Sequence, residues 1–332
     1  MINKLFKLAA RPVGMAKRSD FTYEEVPVRE PAEGELLVKV HYISLDPAMR
    51  GWMNPGKSYI RPVEIGEIMR AGTIGEVVAS RHPQFHVGDY VSGTQGVQSY
   101  AISDGRGLVK VDPRLAPLPK YLNVLGMPGM TAYFGLLEVG QPKPGETVVV
   151  SAAAGAVGQI VGQIAKIKGC KAVGIAGGAE KCRYLTEQLG VERAIDYRSE
   201  DVAAALAQVE GGINAYFDNV GGPILDAVLP NMAHYGRVAI CGLVSAYDND
   251  RASPGPAQFE QVLMRRLRIE GFFIPDFLHR GAEFLPQLRA WHDAGKLTVR
   301  FDEGEGLDNV LSAYAHMLSG GNIGKVLVKL FD

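Results

Sequence analysis

Hydrophobic and polar positions divide the chain into two regions with different periods. In residues 36–111, short apolar runs are separated by Gly and Pro, which is typical of a small β-rich domain. After Gly145, an apolar run, a Gly-rich turn and a longer helical pattern recur several times. The nearly continuous apolar runs predict parallel strands that helices cover on both faces, hence a doubly wound α/β domain.

The repeated pattern predicts each element of the second region. Strands are predicted at residues 147–151, 171–176, 194–197, 215–218, 237–241 and 267–273. Helices are predicted at residues 157–168, 180–189, 200–208, 223–232 and 282–294. Helical spacing before this region is interrupted at Gly126-Met127-Pro128-Gly129, and residues 307–317 and 325–331 predict a further helix and a closing strand. We therefore expect a β-rich substrate domain over 1–125, completed by 298–332, and a dinucleotide-binding domain over 126–297.

Length and charge exclude several classes of protein. A chain of 332 residues has room for two domains. Lys and Arg number 35 against 36 Asp and Glu, so we expect no nucleic-acid partner and no membrane partner. The cysteines are three, an odd number that builds no disulfide framework, and residues 1–10 lack a signal-peptide pattern. We expect a cytoplasmic protein.

A Gly-containing turn follows the first strand of the second region. The strand at 147–151 runs into Ala152-Ala153-Ala154-Gly155-Ala156-Val157-Gly158 and then into a helix, which is the dinucleotide fingerprint with Ala153 in the first glycine position. Gly155 would let the backbone approach a pyrophosphate, and the helix N-terminus would meet its charge. A tight turn without a ligand is the alternative interpretation.

The next strand end distinguishes between the two nicotinamide cofactors. NAD-dependent proteins generally place an Asp or Glu about 20 residues further on, where it binds the ribose diol. Here the second strand ends in Ala176-Gly177-Gly178 without a carboxylate, and Lys181 follows. A 2′-phosphate would meet no repulsion there and could pair with Lys181, so the pattern favours NADP. A solvated Lys181 in the first turn of a helix is the alternative.

Residue types argue against a metal site. The first 169 residues contain no Cys, and Pro83 separates His82 from His86 on a spacing that would otherwise suit a helical ligand pair. We expect no bound zinc. Without a Lewis acid for an alcohol oxygen, simple alcohol oxidation becomes a less favoured reaction.

Several sequence blocks, in order over nearly the whole chain, carry a family resemblance. They are Leu45-Asp46-Pro47-Ala48-Met49-Arg50-Gly51, Gly126 to Tyr133, Ala152 to Gly158, Gly178-Ala179-Glu180-Lys181, Asp218-Asn219-Val220-Gly221-Gly222, Cys241-Gly242-Leu243-Val244-Ser245 and Asn322-Ile323-Gly324-Lys325. The chain resembles the zinc-independent branch of the medium-chain dehydrogenase/reductase superfamily, the NADPH-dependent double-bond reductases. This branch includes prostaglandin reductases (leukotriene B4 dehydrogenases), plant alkenal reductases and bacterial curcumin reductases. The zinc-dependent relatives carry a Gly-His-Glu block, where Ile68 and Met69 stand here.

The resemblance implies a fold, a cofactor and a reaction. The fold would be a Rossmann doubly wound parallel sheet plus a GroES-like β-rich catalytic domain. The reaction would be the NADPH-dependent reduction of the C=C bond of α,β-unsaturated ketones and aldehydes, with hydride reaching the β-carbon and a proton the α-carbon. Carried over by position, the cofactor would contact Met130, Thr131, Gly155, Ala156, Val157, Gly158, Lys181, Tyr197, Asn219, Cys241, Gly242, Leu243, Val244, Ser245, Tyr247, Phe272, Phe273, Ile274 and Asn322.

The proton donor is where the sequence departs from the family pattern. Ala48 stands where relatives often have Tyr. Pro275 replaces a tyrosine that some relatives place shortly after the stretch that corresponds to Phe272 to Ile274. Tyr59, between Pro55 and Pro62, is the remaining candidate catalytic tyrosine, with a surface-loop tyrosine as the alternative. The proton donor therefore stays open at this stage.

Two other functions and an assembly state complete the expectations. A quinone reductase would have the same fold and cofactor, and a noncatalytic NADPH-binding protein could act in redox sensing. The strand at 267–273 should lie at one edge of the sheet, and an exposed edge invites pairing with a second copy. We therefore expect a homodimer, as is usual in the resembled branch.

Overall fold

The architecture comes from a computed structural model that describes residues 1–56, 58–247 and 254–331. The chain divides into two compact units. The first contains Met1–Leu122 and Phe301–Asp332, and the second contains Asn123–Arg300. In the portion of the chain that is described, no helix has the length and apolar character needed to cross a bilayer.

Strands and helices are numbered here in chain order. The strands are β1 (Ile2–Leu8), β2 (Phe21–Pro27), β3 (Leu36–Ser44), β4 (Gly72–Ser80), β5 (Tyr90–Gly93), β6 (Tyr100–Ser103), β7 (Val109–Val111), β8 (Thr147–Ser151), β9 (Lys171–Ala176), β10 (Arg193–Asp196), β11 (Ile213–Asp218), β12 (Met232–Ile240), β13 (Arg268–Gly271), β14 (Phe301–Glu305) and β15 (Lys325–Lys329). The helices are α1 (Ala48–Trp52), α2 (Leu118–Tyr121), α3 (Met127–Phe134), α4 (Gly158–Ile167), α5 (Ala179–Arg183), α6 (Val202–Leu206), α7 (Gly222–Val228), α8 (Glu260–Arg265), α9 (Gly281–Asp293) and α10 (Val310–Leu318).

The first unit is built on a mostly antiparallel sheet. Its strands lie in the order β14-β15-β3-β4-β5-β7, β6 pairs with β3, and β1 and β2 form a separate antiparallel pair. The closing strand β15 pairs with β3, where Leu327 lies opposite Ser44. Alternating apolar side chains of these strands form a buried core that includes Phe6, Ile43 and Val328. The predicted β-rich character of this unit is confirmed.

The second unit contains one parallel sheet in the order β10-β9-β8-β11-β12-β13. This order joins two βαβ halves, and it reverses direction between β8 and β11, where open α/β sheets bind their ligands. All five residues of β8 are buried, as the apolar run at 147–151 predicts. The doubly wound Rossmann fold is confirmed, and β13 lies at one edge of the sheet as predicted.

Some element predictions are wrong at their boundaries. The helix predicted at 223–232 ends at Val228, because Pro230 lies in the turn that follows and Met232 already begins β12. Of the predicted interruption, Met127, Pro128 and Gly129 form the first turn of α3, and Gly126 precedes the helix. A proline is compatible with this turn because the N–H that it lacks would have no acceptor within the helix. A Cβ on Gly129 would lie 2.0 Å from the Val124 carbonyl oxygen, so that glycine permits a close backbone approach. The hydrophobic pattern of the sequence also gave no strand prediction at β1, β2, β6 and β14.

Candidate functional site

The turn between β8 and α4 is shaped by tight backbone contacts. Ala152 adopts a left-handed conformation with φ of 47°, and its carbonyl accepts the N–H of Gly155 at 2.9 Å. A Cβ on Gly158 would lie 2.4 Å from the Ala152 oxygen, so only glycine fits there. The amides of Ala156, Val157 and Gly158 stand at the start of α4, where helix N–H groups lack intrahelical acceptors and favour phosphate. The glycines therefore form a cradle that fits a pyrophosphate.

A second cluster surrounds the glycine pair after β9. Gly178 has φ of 100°, and its N–H donates to the Asp196 carboxylate at 2.7 Å. A Cβ on Gly177 would lie 2.7 Å from the Tyr197 ring, so this ring covers the glycine. Arg198 follows Tyr197, and its guanidinium lies 6.0 Å from the centre of the Tyr197 ring. The hydrogen bond from the Gly178 N–H lowers the pKa of Asp196, so this carboxylate stays ionised. One of its oxygens is already engaged by the backbone.

Sequence reasoning missed Arg198. Its Nη1 atom lies 3.8 Å from the position that a Cβ on Gly178 would occupy. Lys181 is on α5, which begins directly after Gly178. The signal that could have found Arg198 is its place next to Tyr197 at the carboxyl end of the third strand, where the predicted ligand lies.

The segments after β11 and β12 fold onto each other. The Asn219 side-chain amide donates to the Ser151 carbonyl at 2.7 Å, which ties it to the end of β8. Val244 donates its N–H to the Asn219 carbonyl at 3.3 Å, and the Ser245 hydroxyl donates to the Val220 carbonyl at 2.7 Å. The structure therefore brings together Asn219 and the predicted residues that follow β12.

Cys241 begins the segment after β12, and its thiol has the properties of an unreactive cysteine. Its N–H and that of Gly242 donate to the Asp218 carbonyl at 2.8 and 3.1 Å. Burial is the main cause that raises the pKa of Cys241 to about 12, and the negative charge of the Asp218 carboxylate contributes less. The thiol is neutral near pH 7 and lacks the ionisation of a nucleophile. Leu243 is exposed, and the Tyr247 hydroxyl oxygen would lie 3.3 Å from a Cβ on Gly242.

The remaining predicted cofactor residues lie in varied surroundings. Met130 and Thr131 are buried on α3, where the Thr131 hydroxyl donates to the Met127 carbonyl at 2.7 Å. The Phe272 ring is partly buried, with its centre 5.9 Å from that of the Phe217 ring, and one of its atoms would lie 2.2 Å from a Cβ on Gly135. Phe273 and Ile274 are partly buried at the start of a 3₁₀ turn, and Asn322, in the first unit, donates to the Gly324 carbonyl at 2.8 Å.

Tyr59 lies in the first unit with 57% of its surface exposed. The indole N–H of Trp52, at the end of α1, donates to the Tyr59 hydroxyl oxygen at 2.8 Å. The Arg70 guanidinium lies over the Trp52 ring, 5.7 Å from its centre, and burial lowers the pKa of Arg70. A tyrosine, an indole donor and a cation therefore form one cluster.

Two family models match the chain, each over a different stretch. The model described as the N-terminal domain of oxidoreductase matches residues 4–111, and the one described as zinc-binding dehydrogenase matches residues 156–289. The NADPH-dependent curcumin reductase of Escherichia coli (strain K12) is 45% identical to this chain, over 99% of this chain and 97% of that protein. This chain belongs to the NADPH-dependent double-bond reductases of the medium-chain dehydrogenase/reductase superfamily.

Other members of the double-bond reductases are similar over the same length. The 2-alkenal reductase (NADP(+)-dependent) of Nicotiana tabacum is 40% identical over 98% of this chain and 97% of that protein. The crystal structure of CurA in complex with NADPH from Vibrio vulnificus superposes with a TM-score of 0.93 at 43% identity, covering 99% of both chains. The resemblance stated from the sequence blocks is confirmed.

One of the two matching family models is that of zinc-binding dehydrogenases, so we ask whether this reductase has a metal site. Within 1–56, 58–247 and 254–331, no three or more His, Cys, Asp or Glu side chains come together as a metal-binding group. Ile68 and Met69, where the zinc-dependent relatives carry His and Glu, are a partly buried and a buried apolar residue. Neither side chain offers a zinc ligand.

Proposed function

We propose that this protein reduces the C=C bond of α,β-unsaturated ketones and aldehydes with NADPH and without a metal ion. The observation that carries the proposal is the 45% identity, over 99% of the chain, to a relative named as an NADPH-dependent curcumin reductase. The glycine cradle at the start of α4 and the absence of a carboxylate from Ala176-Gly177-Gly178 support the choice of cofactor. The apolar residues Ile68 and Met69 support metal independence.

The second unit would hold the cofactor along the carboxyl ends of its strands. Bound NADPH supplies the hydride. The amides of Ala156 to Gly158 would bind the pyrophosphate, and Lys181, Tyr197 and Arg198 would surround the 2′-phosphate. The ribose and nicotinamide would contact Met130, Thr131, Asn219, Cys241, Gly242, Leu243, Val244, Ser245, Tyr247, Phe272, Phe273 and Ile274. The contact of Asn322, which lies in the first unit, stays a prediction of the family resemblance.

Tyr59 would deliver the proton that completes the reduction. Its O–H bond breaks as the new C–H bond forms at the α-carbon of the enolate, and water then restores the phenol. Because the Trp52 indole can only donate, its hydrogen bond uses a lone pair of the phenol oxygen and does not involve the phenol hydrogen. The same indole donor stabilises the phenolate that the proton transfer creates.

Domain roles, assembly and location extend the proposal. The β-rich domain, 1–125 with 298–332, would shape the substrate site, and 126–297 would hold the cofactor. A homodimer would form across the edge strand β13. The odd number of unpaired cysteines, Cys170, Cys182 and Cys241, suits a reducing compartment such as the cytoplasm.

NADPH oxidation by the purified, EDTA-treated protein tests the function. The acceptors are a medium-chain enal, an aryl enone, a quinone and the saturated ketone that matches the enone. We expect turnover of the enal or the enone to the saturated carbonyl product, identified by mass, with equal rates before and after EDTA. The saturated ketone is the negative control. Consumption of the quinone alone would move the chemistry to a quinone reductase, and tight NADPH binding without turnover would indicate a noncatalytic binding protein.

A further inference from the structure

A completely buried carboxylate, which the proposed reaction does not use, lies beneath the cofactor edge of the sheet. Asp218 is the last residue of β11 and has no exposed surface. One of its oxygens, Oδ1, accepts from the Ser151 and Tyr216 hydroxyls at 3.0 and 2.7 Å and from the N–H groups of Val220 and Gly221, both at 2.9 Å. The other oxygen, Oδ2, has no hydrogen-bond partner among the described residues. Burying a carboxylate costs free energy, so this arrangement calls for a reason.

The contacts of Asp218 join three neighbouring strand ends. Ser151 ends β8, and Asp218 itself ends β11. The Asp218 carbonyl accepts the N–H groups of Cys241 and Gly242, which follow β12. Ligands of open α/β sheets bind at this edge, outside the carboxyl ends of the strands. One residue therefore fixes the relative positions of three segments at the site.

Ser151, whose hydroxyl donates to Asp218, also fixes the orientation of the neighbouring Asn219. Its backbone N–H donates to the Ser151 hydroxyl oxygen at 2.8 Å, and its side-chain Nδ2 donates to the Ser151 carbonyl at 2.7 Å. A carbonyl only accepts, so the nitrogen of the amide must face Ser151. The amide oxygen Oδ1 then faces away from Ser151 and can accept a hydrogen bond from a hydroxyl group.

We propose that Asp218 is a positioning residue that, through Ser151, presents the Asn219 amide oxygen to a ribose hydroxyl of NADPH. Asp218 accepts the Ser151 hydroxyl hydrogen, so the oxygen lone pairs of that hydroxyl are oriented toward the Asn219 N–H. It also holds the N–H groups of Val220 and Gly221 inward, which sets the turn that follows Asn219. The proposal rests on the proposed contact between Asn219 and the cofactor.

NADPH titrations of the full chain, followed by nucleotide fluorescence, test this role. We expect Asp218→Ala to raise the Kd for NADPH about tenfold, because four buried donors lose their acceptor and the Ser151 hydroxyl that accepts the Asn219 N–H loses its orientation. Asp218→Asn keeps one carbonyl oxygen for these donors, so its Kd should stay within about threefold of the wild-type value. In the protein without nucleotide, Asp218→Ala should also speed the hydrogen exchange of the Val220 and Gly221 amides. Asp201→Asn, which changes an N-terminal helix cap elsewhere on the second unit, is the control.

Three variants separate the inference from the proposed function. A folded Asp218→Ala protein with the wild-type Kd would overturn the positioning role. If Asp218→Ala does not fold, Ser151→Ala decides, because it removes the acceptor of the Asn219 N–H; an unchanged Kd would overturn the role and a raised Kd would support it. Asn219→Ala tests the contact itself. If Asn219→Ala binds NADPH normally, the proposed contact fails and the positioning role fails with it, while NADPH-dependent turnover can still stand.

Discussion

In the proposed cofactor site, discrimination between NADPH and NADH would depend on a few side chains after β9 and β10. Gly177 and Gly178 leave room where other proteins carry a carboxylate, and the one nearby, Asp196, is engaged by the Gly178 N–H. Lys181 and Arg198 would supply the positive charge. A 2′-phosphate would therefore meet cations in place of a repelling carboxylate, which is the physical reason we propose for the preference.

Replacement of Lys181 tests this preference. We expect Lys181→Ala to raise the Kd for NADPH about tenfold, since a hydrogen bond between charged groups contributes about 1.5–3 kcal/mol, and to leave the weak binding of NADH unchanged. Fluorescence titration with both nucleotides measures this. Lys171→Ala, at the amino end of β9, removes the same charge away from the site and serves as the control. Equal weakening for both nucleotides would show that Lys181 does not recognise the 2′-phosphate.

The hydrogen bond between Trp52 and Tyr59 belongs to the same scale. We expect Tyr59→Phe to lower kcat about 100-fold with little change in the KM of the enone, because general acid catalysis contributes about 10² to 10⁴ in rate. Trp52→Phe keeps the phenol and loses the indole donor, so a decrease of about tenfold in kcat is expected. Steady-state kinetics at saturating NADPH measure both, with the exposed Tyr235→Phe as control. A Tyr59→Phe enzyme with normal kcat would show that another group supplies the proton.

At the scale of elements, buried charged side chains from two of the sequence blocks, the one that contains Arg50 and the one that contains Lys325, connect distant segments of the first unit. Lys325, at the start of β15, is almost completely buried, and it donates to the Leu45 carbonyl and to the Asp46 carboxylate, both at 2.6 Å. Arg50 on α1 is equally buried and donates to the carbonyls of Pro12 and Gly14. These charged side chains hold the segment after β3 against chain segments that are distant in sequence.

Separating the ion pair should destabilise the protein more than removing it. Asp46→Asn leaves the buried Lys325 ammonium without its counter-charge, and we expect the free energy of unfolding to fall by about 3 kcal/mol. The double variant Asp46→Asn with Lys325→Met removes both charges and should recover part of that loss. Urea unfolding of the two proteins measures the difference. If the double variant is less stable than Asp46→Asn by the full cost of Lys325→Met alone, the two side chains are not energetically coupled.

At the scale of the whole molecule, the second unit presents a sheet edge next to apolar side chains. The strand β13 pairs only with β12 in the described sheet, so one side of its backbone is available for another strand. The helix α8 precedes it and exposes Leu263 and Met264 by 77% and 63%. An open edge beside exposed apolar side chains is the kind of surface that a second copy covers.

Sedimentation velocity tests the proposed homodimer. We expect the wild-type protein to sediment with twice the mass of one chain at micromolar concentration. Leu263→Glu should shift the equilibrium toward the monomer, because a carboxylate would be desolvated in the interface. Val87→Glu introduces the same charge at an exposed position of the first unit and should leave the dimer intact. A wild-type protein that sediments as a monomer would exclude the dimer.

Local patterns were sufficient for much of the second unit and for the glycine turn that follows β8. The strands β8 and β9 begin and end where the apolar runs predict, because strands buried on both faces need continuous apolar sequence. The glycine turn after β8 could likewise be predicted, since the close approach of the α4 backbone to the backbone after β8 requires glycine at a fixed spacing. Predictions failed where the pattern is weak: the exposed positions of β1 are Ile2 and Lys4, one apolar and one charged, and β14 has no buried position.

The sequence by itself determined the fold class, the alternation of parallel strands with helices and the glycine turn after β8, all of which depend on neighbours along the chain. Only the tertiary structure decided how Asp218 reaches Ser151 across 67 residues, and how Lys325 reaches Asp46 across 279. It also showed that Trp52 donates to Tyr59. These contacts have no sequence period, because hydrogen bonds and ion pairs depend on distances that arise only when separate elements pack together.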